Sequence, residues 1–139
     1  MWFNTAMTEA KAKLILLVDD DEDIRDSVSY ILKKAGYRVE TAVDGEEGLR
    51  QIDALKPDLL ILDLMLPRYG GFEVLRRLQS GASAGLPVII VTGRYTDRAT
   101  SELISQESNV VELMEKPVKA NVLLSAIERS LAPRAAPEN

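Results

Sequence analysis

Pro57-Asp58-Leu59-Leu60-Ile61-Leu62-Asp63-Leu64-Met65-Leu66-Pro67 runs four consecutive apolar residues into a single aspartate, with further apolar residues and a proline behind it. A short unbroken apolar run bounded by turn residues reads as a strand buried on both faces, the kind found in a parallel sheet. A carboxylate at the end of such a strand is costly to bury unless something pairs with it. Two readings are open from this stretch alone: Asp63 is a paired functional group, or it caps the strand and faces water.

Four further segments have the character of strands. Leu14 to Val18 (LILLV) runs into Asp19-Asp20-Asp21-Glu22-Asp23, and Arg38 to Ala42 follows later. Pro87 to Val91 (PVIIV) ends in Thr92-Gly93, and Val110 to Met114 ends in Glu115-Lys116-Pro117. Between them lie helical periodicities. Ile24, Val28, Ile31, Leu32 and Ala35 mark one helix, stopped by Gly36. After an Asp44-Gly45 turn, Leu49, Ile52 and Leu55 form the face of a second, which ends before Pro57. Gly70-Gly71 breaks the chain, and Phe72, Val74, Leu75 and Leu78 support a third helix. Asp97 to Ser105 is weakly helical, and Val122, Leu123, Ala126, Ile127 and Leu131 make a last helix. Five strand–helix alternations imply an α/β fold, a doubly wound five-stranded parallel sheet, (βα)5, with helices on both faces. Right-handed crossovers restrict its topology. In such sheets the site lies beyond the carboxyl ends of the strands.

Composition bounds the chemistry. At 139 residues, 46% of them hydrophobic, the chain makes one domain with a sizeable core. Residues 1–12 read as an N-terminal extension, native or vector-derived with Met7 as the native start, 13–131 as the domain, and 132–139 as a linker-like tail. Without cysteine or histidine there are no disulfides, no thiolate or imidazole zinc sites and no histidine-assisted nucleophile. A net charge of −5 with no basic patch argues against direct nucleic-acid binding. No apolar run approaches the roughly 20 residues that span a bilayer, and the N-terminus lacks the pattern of a signal peptide, so a cytoplasmic protein is expected.

Carboxylate, hydroxyl and lysine chemistry remain, and these residues stand at the carboxyl ends of strands. Asp19 and Asp20 follow the first, Asp63 the third, Thr92 the fourth and Lys116 the fifth. Asp21, Glu22 and Asp23 need no such role, since acids in a first helical turn complement the helix dipole. Taken singly, Lys116 is an ordinary exposed lysine and Thr92 a plain strand-end hydroxyl. Together with three carboxylates they form a more specific set. One carboxylate pair at 4 Å costs roughly 4 kcal/mol at an effective dielectric of about 20. Either the pKa values rise or a cation joins them, and an all-oxygen set suits Mg²⁺. Mg²⁺, an ammonium and a hydroxyl are equipment for handling a phosphoryl group, and an aspartate among them can be the nucleophile.

The chain resembles the receiver domains of two-component response regulators. The residues that carry the resemblance are VDDDEDIR (Val18–Arg25), LLILDLMLP (Leu59–Pro67), GGFEVL (Gly70–Leu75), PVIIVTG (Pro87–Gly93) and EKP (Glu115–Pro117). The resemblance implies a flavodoxin-like fold with strand order 2-1-3-4-5. It makes Asp63 the acceptor of a phosphoryl group from a phosphohistidine. Asp20 would bind Mg²⁺ (or Mn²⁺) directly, Asp19 mainly through water, and Asp63 and the Met65 backbone carbonyl would complete the protein ligands. Thr92 would be the switch hydroxyl, Lys116 would pair with the phosphoryl group, and the Lys116–Pro117 bond would be cis. The partners implied are a sensor histidine kinase or histidine phosphotransfer protein, an output domain or downstream protein, and a second copy in a homodimer; no membrane and no nucleic acid are implied for this domain.

The pattern departs from the family in three places. Leu113 stands where many receivers carry an aromatic residue three before the lysine. Ser105-Gln106-Glu107-Ser108-Asn109 replaces the Gly-Ala that commonly precedes the fifth strand. Met65 and Arg94, two residues after Asp63 and Thr92, are poorly suited to hold a hydrolytic water, so slow autodephosphorylation is expected. Two other functions compete. A Mg²⁺-dependent phosphohydrolase resembling the haloacid dehalogenase-like enzymes would need a DxD motif after the first strand, where Asp19-Asp20 are adjacent, and a cap domain. A pseudo-receiver would bind partners without phosphorylation, although every acid, hydroxyl and lysine position is filled.

Overall fold

The computed structural model describes residues 13–66, 68, 70–93, 98, 102, 104 and 106–132; the expectations for the N-terminal extension, Arg94 and the tail beyond Ala132 lie outside these. The apolar runs form strands β1 (Leu14–Val18), β2 (Arg38–Ala42), β3 (Leu59–Asp63), β4 (Val88–Thr92) and β5 (Val110–Glu115). All pair in parallel, in the order β2-β1-β3-β4-β5. The helices between and after them are α1 (Glu22–Lys34), α2 (Gly45–Leu55), α3 (Gly71–Gln79) and α4 (Ala120–Leu131). Within Asp97–Ser105, the described residues Arg98, Glu102 and Ile104 are helical.

Side chains alternate across the sheet and fill two cores. Leu16, Val18, Leu60, Leu62, Val88 and Ile90 meet Ile52 of α2, Val74, Leu75 and Leu78 of α3, and Ile104. Ile15, Leu17, Leu59, Ile61, Ile89 and Val91 meet Val28 and Leu32 of α1 and Leu123, Ala126 and Ile127 of α4. Helices therefore cover both faces. The central strands β1, β3 and β4 are buried along their length, whereas β2 and β5, at the edges, are only partly so. That contrast explains why unbroken apolar runs mark the centre and mixed runs the rims.

Some details differ from the sequence reading. Asp44-Gly45 is the start of α2 rather than a free turn: Asp44 accepts from the Glu47 amide at 2.8 Å, and Glu47 accepts from the Val43 amide at 2.7 Å. This reciprocal pair is a capping box in all but one position. Leu55 is exposed at the last residue of α2, and Phe72 and Val122 are exposed in the first turns of α3 and α4. Gly36, at φ 102°, ends α1 in a backbone conformation that favours glycine.

The unusual segment before β5 has a structural role. Asn109 is buried; its Nδ2 donates to the Leu86 carbonyl at 3.2 Å and its Oδ1 accepts from Gln79 Nε2 at 2.6 Å. Its backbone carbonyl accepts from the Val88 amide at 2.8 Å. One side chain thus joins the end of α3, the loop into β4 and the start of β5. Asn109→Ala would strand the Leu86 carbonyl and is expected to cost about 1–3 kcal/mol. Urea unfolding would show this as a lower midpoint at unchanged slope; an unchanged midpoint would refute the role.

Candidate functional site

The carboxyl ends of β1, β3, β4 and β5 bring the acids, hydroxyl and lysine to one edge of the sheet. Asp19 follows β1, where its amide donates to the Ala42 carbonyl of β2 at 3.1 Å. Its Oδ1 accepts from the Asp21 amide at 2.9 Å, and its carbonyl accepts from Arg25 Nη1 at 2.8 Å. Asp21 in turn caps α1 by accepting from the amides of Asp23 and Ile24. The five-acid run therefore divides by position: Asp19 is buried at the sheet, Asp20 is exposed, and Asp21 to Asp23 serve the helix start.

Asp63 is the last residue of β3 and is 4% exposed. Its Oδ1 accepts from the Met65 amide at 3.1 Å. Lys116 Nζ lies 3.3 Å from Asp63 Oδ2 and 2.9 Å from Asp19 Oδ2. The ammonium bridges the two buried carboxylates, so Asp63 is paired and does not cap the strand toward water. The Lys116 amide donates to the Thr92 carbonyl at 2.7 Å, and the Lys116–Pro117 bond is cis. Thr92, the buried last residue of β4, is thereby held beside the lysine.

Burial pushes the Asp63 carboxyl above its ordinary range; the Met65 amide opposes this, Asp19 adds to it, and Lys116 pulls back against it. Burial alone would lower Lys116, but its contact with Asp19 and the charges of Asp63 and Asp19 outweigh it and hold the ammonium above its usual value. Asp19, Asp20 and Asp63 offer oxygens that all lie within 4.8 Å of one another. Three hard oxygen donors with an excess of negative charge fit a divalent cation such as Mg²⁺.

Two contributors escaped the sequence reading. Arg25 is one, since nothing in its helical spacing announces a bond back to the Asp19 carbonyl. Gly71 is the other, read only as a chain breaker. A Cβ there would stand 2.7 Å from Leu64 Cα and 2.9 Å from the Asp63 carbonyl oxygen. The start of α3 packs directly on the backbone after Asp63, and only glycine permits that approach. The Met65 side chain is 74% exposed, and Leu113 is partly buried against the core that α2 and α3 cover.

Residues 15–128 match the family model of the response regulator receiver domain. The chain belongs to this family. Over 117 residues the receiver domain is 38% identical to the transcriptional regulatory protein AfsQ1 of Streptomyces coelicolor, covering 84% of this chain and 50% of that protein. Over 125 residues it is 38% identical to the response regulator MprA of Mycobacterium tuberculosis, covering 90% and 53%. The chain thus spans about half the length of the curated relatives it matches. Among solved structures it is similar to a CheY-like receiver domain protein from Methanospirillum hungatei, at a TM-score of 0.79 and 36% identity, covering 86% of this chain and 94% of that one. A response regulator from Chloroflexus aurantiacus gives a TM-score of 0.80 at 30% identity, covering 88% and 100%. A receiver in two-component signalling is a regulatory module, and this membership does not favour the phosphohydrolase or pseudo-receiver readings. Among the described residues no helix is long and apolar enough to cross a membrane.

Proposed function

We propose that Asp63 is the phosphoacceptor of this receiver, taking a phosphoryl group from a phosphohistidine on a sensor kinase or phosphotransfer protein. The observation that carries the reading is the ammonium of Lys116 bridging two buried carboxylates at a strand end. A carboxylate oxygen of Asp63 attacks phosphorus, the P–N bond to the imidazole breaks, and the imidazole leaves with the electron pair. The product is an acyl phosphate. Lys116 then faces a dianionic phosphoryl group and the Thr92 hydroxyl donates to one of its oxygens, favouring one of two conformations of the domain.

Asp19, Asp20, Asp63 and the Met65 backbone carbonyl are the groups we assign to Mg²⁺, with Mn²⁺ an alternative for the same oxygen set. When bound, the ion neutralises charge on the phosphoryl oxygens. The chain would act in the cytoplasm; because its curated relatives are about twice as long, it would control an output domain or partner protein. The test is intact mass after incubation with acetyl phosphate, with and without Mg²⁺. Wild type is expected to gain one phosphoryl group only with Mg²⁺, and Asp63→Asn none. No gain by wild type that binds Mg²⁺ would overturn the reading and favour a phosphorylation-independent binding module.

A further inference from the structure

We infer that Arg25 is a positioning residue for the acidic cluster, acting through the backbone that carries Asp20. This rests on the reading of Asp19, Asp20 and Asp63 as the cation site. Asp20 is the exposed member of the three, so burial does not fix it. Its direction is set by the two peptide planes that flank it, each of them rigid. The plane before it contains the Asp19 carbonyl, which accepts from Arg25 Nη1 at 2.8 Å. The plane after it contains the Asp21 amide, which donates to Asp19 Oδ1 at 2.9 Å. Both planes are clamped, one by the buried Asp19 side chain and the other by Arg25.

Arg25 lies at the end of the first turn of α1, where its own amide donates to the Asp21 carbonyl at 3.0 Å. The side chain reaches back six residues and is partly buried on the way. Among the described residues the buried carboxylates make their ion pairs with Lys116. An arginine placed to neutralise the cluster would point at carboxylate oxygens. This one points at a main-chain carbonyl, which suits it to orienting Asp20. A group that orients a metal ligand from behind typically alters affinity by about 10–100-fold when removed.

The experiment measures Mg²⁺ affinity by titration calorimetry for wild type, Arg25→Met, Arg25→Lys, Asp20→Ala and the Asp20→Ala/Arg25→Met double variant. Uptake from acetyl phosphate is followed across Mg²⁺ concentrations, and thermal unfolding is recorded in EDTA. Arg25→Met keeps the aliphatic stem and is expected to weaken Mg²⁺ binding about tenfold, with uptake slowed most at low Mg²⁺. Arg25→Lys, which keeps one donor, should recover most of the affinity. In the Asp20→Ala background Arg25→Met should change little, because the ligand it orients is gone. Wild-type affinity in Arg25→Met overturns the inference. Tighter binding also overturns it, since Arg25 would then be only a competing charge. Should Arg25→Met fail to fold, Arg25→Gln, which removes the guanidinium, is read by the same outcomes. Absence of Mg²⁺ binding by wild type would bring down the cation-site reading and this inference together.

Discussion

Lys116→Met is expected to slow phosphoryl uptake from acetyl phosphate by roughly two to three orders of magnitude, the usual cost of deleting one preorganised group that meets developing charge. The ammonium stands within 3.3 Å of both buried carboxylates. Its removal leaves Asp19 and Asp63 facing each other inside the protein without the ammonium between them. The Asp63 carboxyl, already above its ordinary range through burial and against the pull of Lys116, would rise further and present less carboxylate. The transferred group would also lose its counter-charge. The rate of mass gain at fixed Mg²⁺ measures the effect; a rate within a factor of three of wild type would contradict the role given to Lys116.

Asp63→Asn is expected to stabilise the protein in EDTA, and to do so only above the acid range. Because the folded Asp63 carboxyl is raised, the folded state holds this proton more tightly than the unfolded chain does. Its ionisation therefore costs stability, beginning as pH rises past the unfolded value near 3.9 and complete once pH exceeds the raised folded value. Asparagine removes that cost, and Lys116 keeps Asp19 as a partner at 2.9 Å. The gain should be on the order of 1 kcal/mol, because a buried charge has been replaced by a neutral group of similar shape. Lys116 behaves in the opposite sense: its raised pKa contributes stability that is complete below its unfolded value and lost only as the pH climbs past the folded one. Paired melting curves from about pH 3 to 8 test this. Convergence of the two proteins in acid and separation at neutral pH is the expected pattern, and equal melting temperatures throughout would refute it.

The fold was legible because its central strands are buried on both faces. LILLV, LLIL and PVIIV leave no polar alternation to mistake for another architecture. Asp19 and Asp63 were legible for a related reason, since each ends such an apolar run, whereas Lys116 follows the mixed edge strand β5 and is marked in the sequence by its place before Pro117. Helix rims were harder to read. Leu55, Phe72 and Val122 fit the apolar stripe of their helices, yet whether a neighbour covers a terminal turn is a tertiary fact. Asn109 and Gly71 were hidden for another reason. Each acts on backbone groups distant in sequence, Asn109 on the Leu86 carbonyl and Gly71 on the chain at Leu64, and spacing carries no trace of such contacts. Arg25 was hidden in the same way.

The central claim is that the phosphoryl group is carried by Asp63 as an acyl phosphate. Borohydride reduces an aspartyl phosphate to homoserine, which is read by peptide mass. After incubation of the wild type with acetyl phosphate and Mg²⁺, homoserine is predicted at position 63, with Asp19 and Asp20 unmodified. Homoserine at either of those positions, or mass gain without homoserine at 63, would contradict the account.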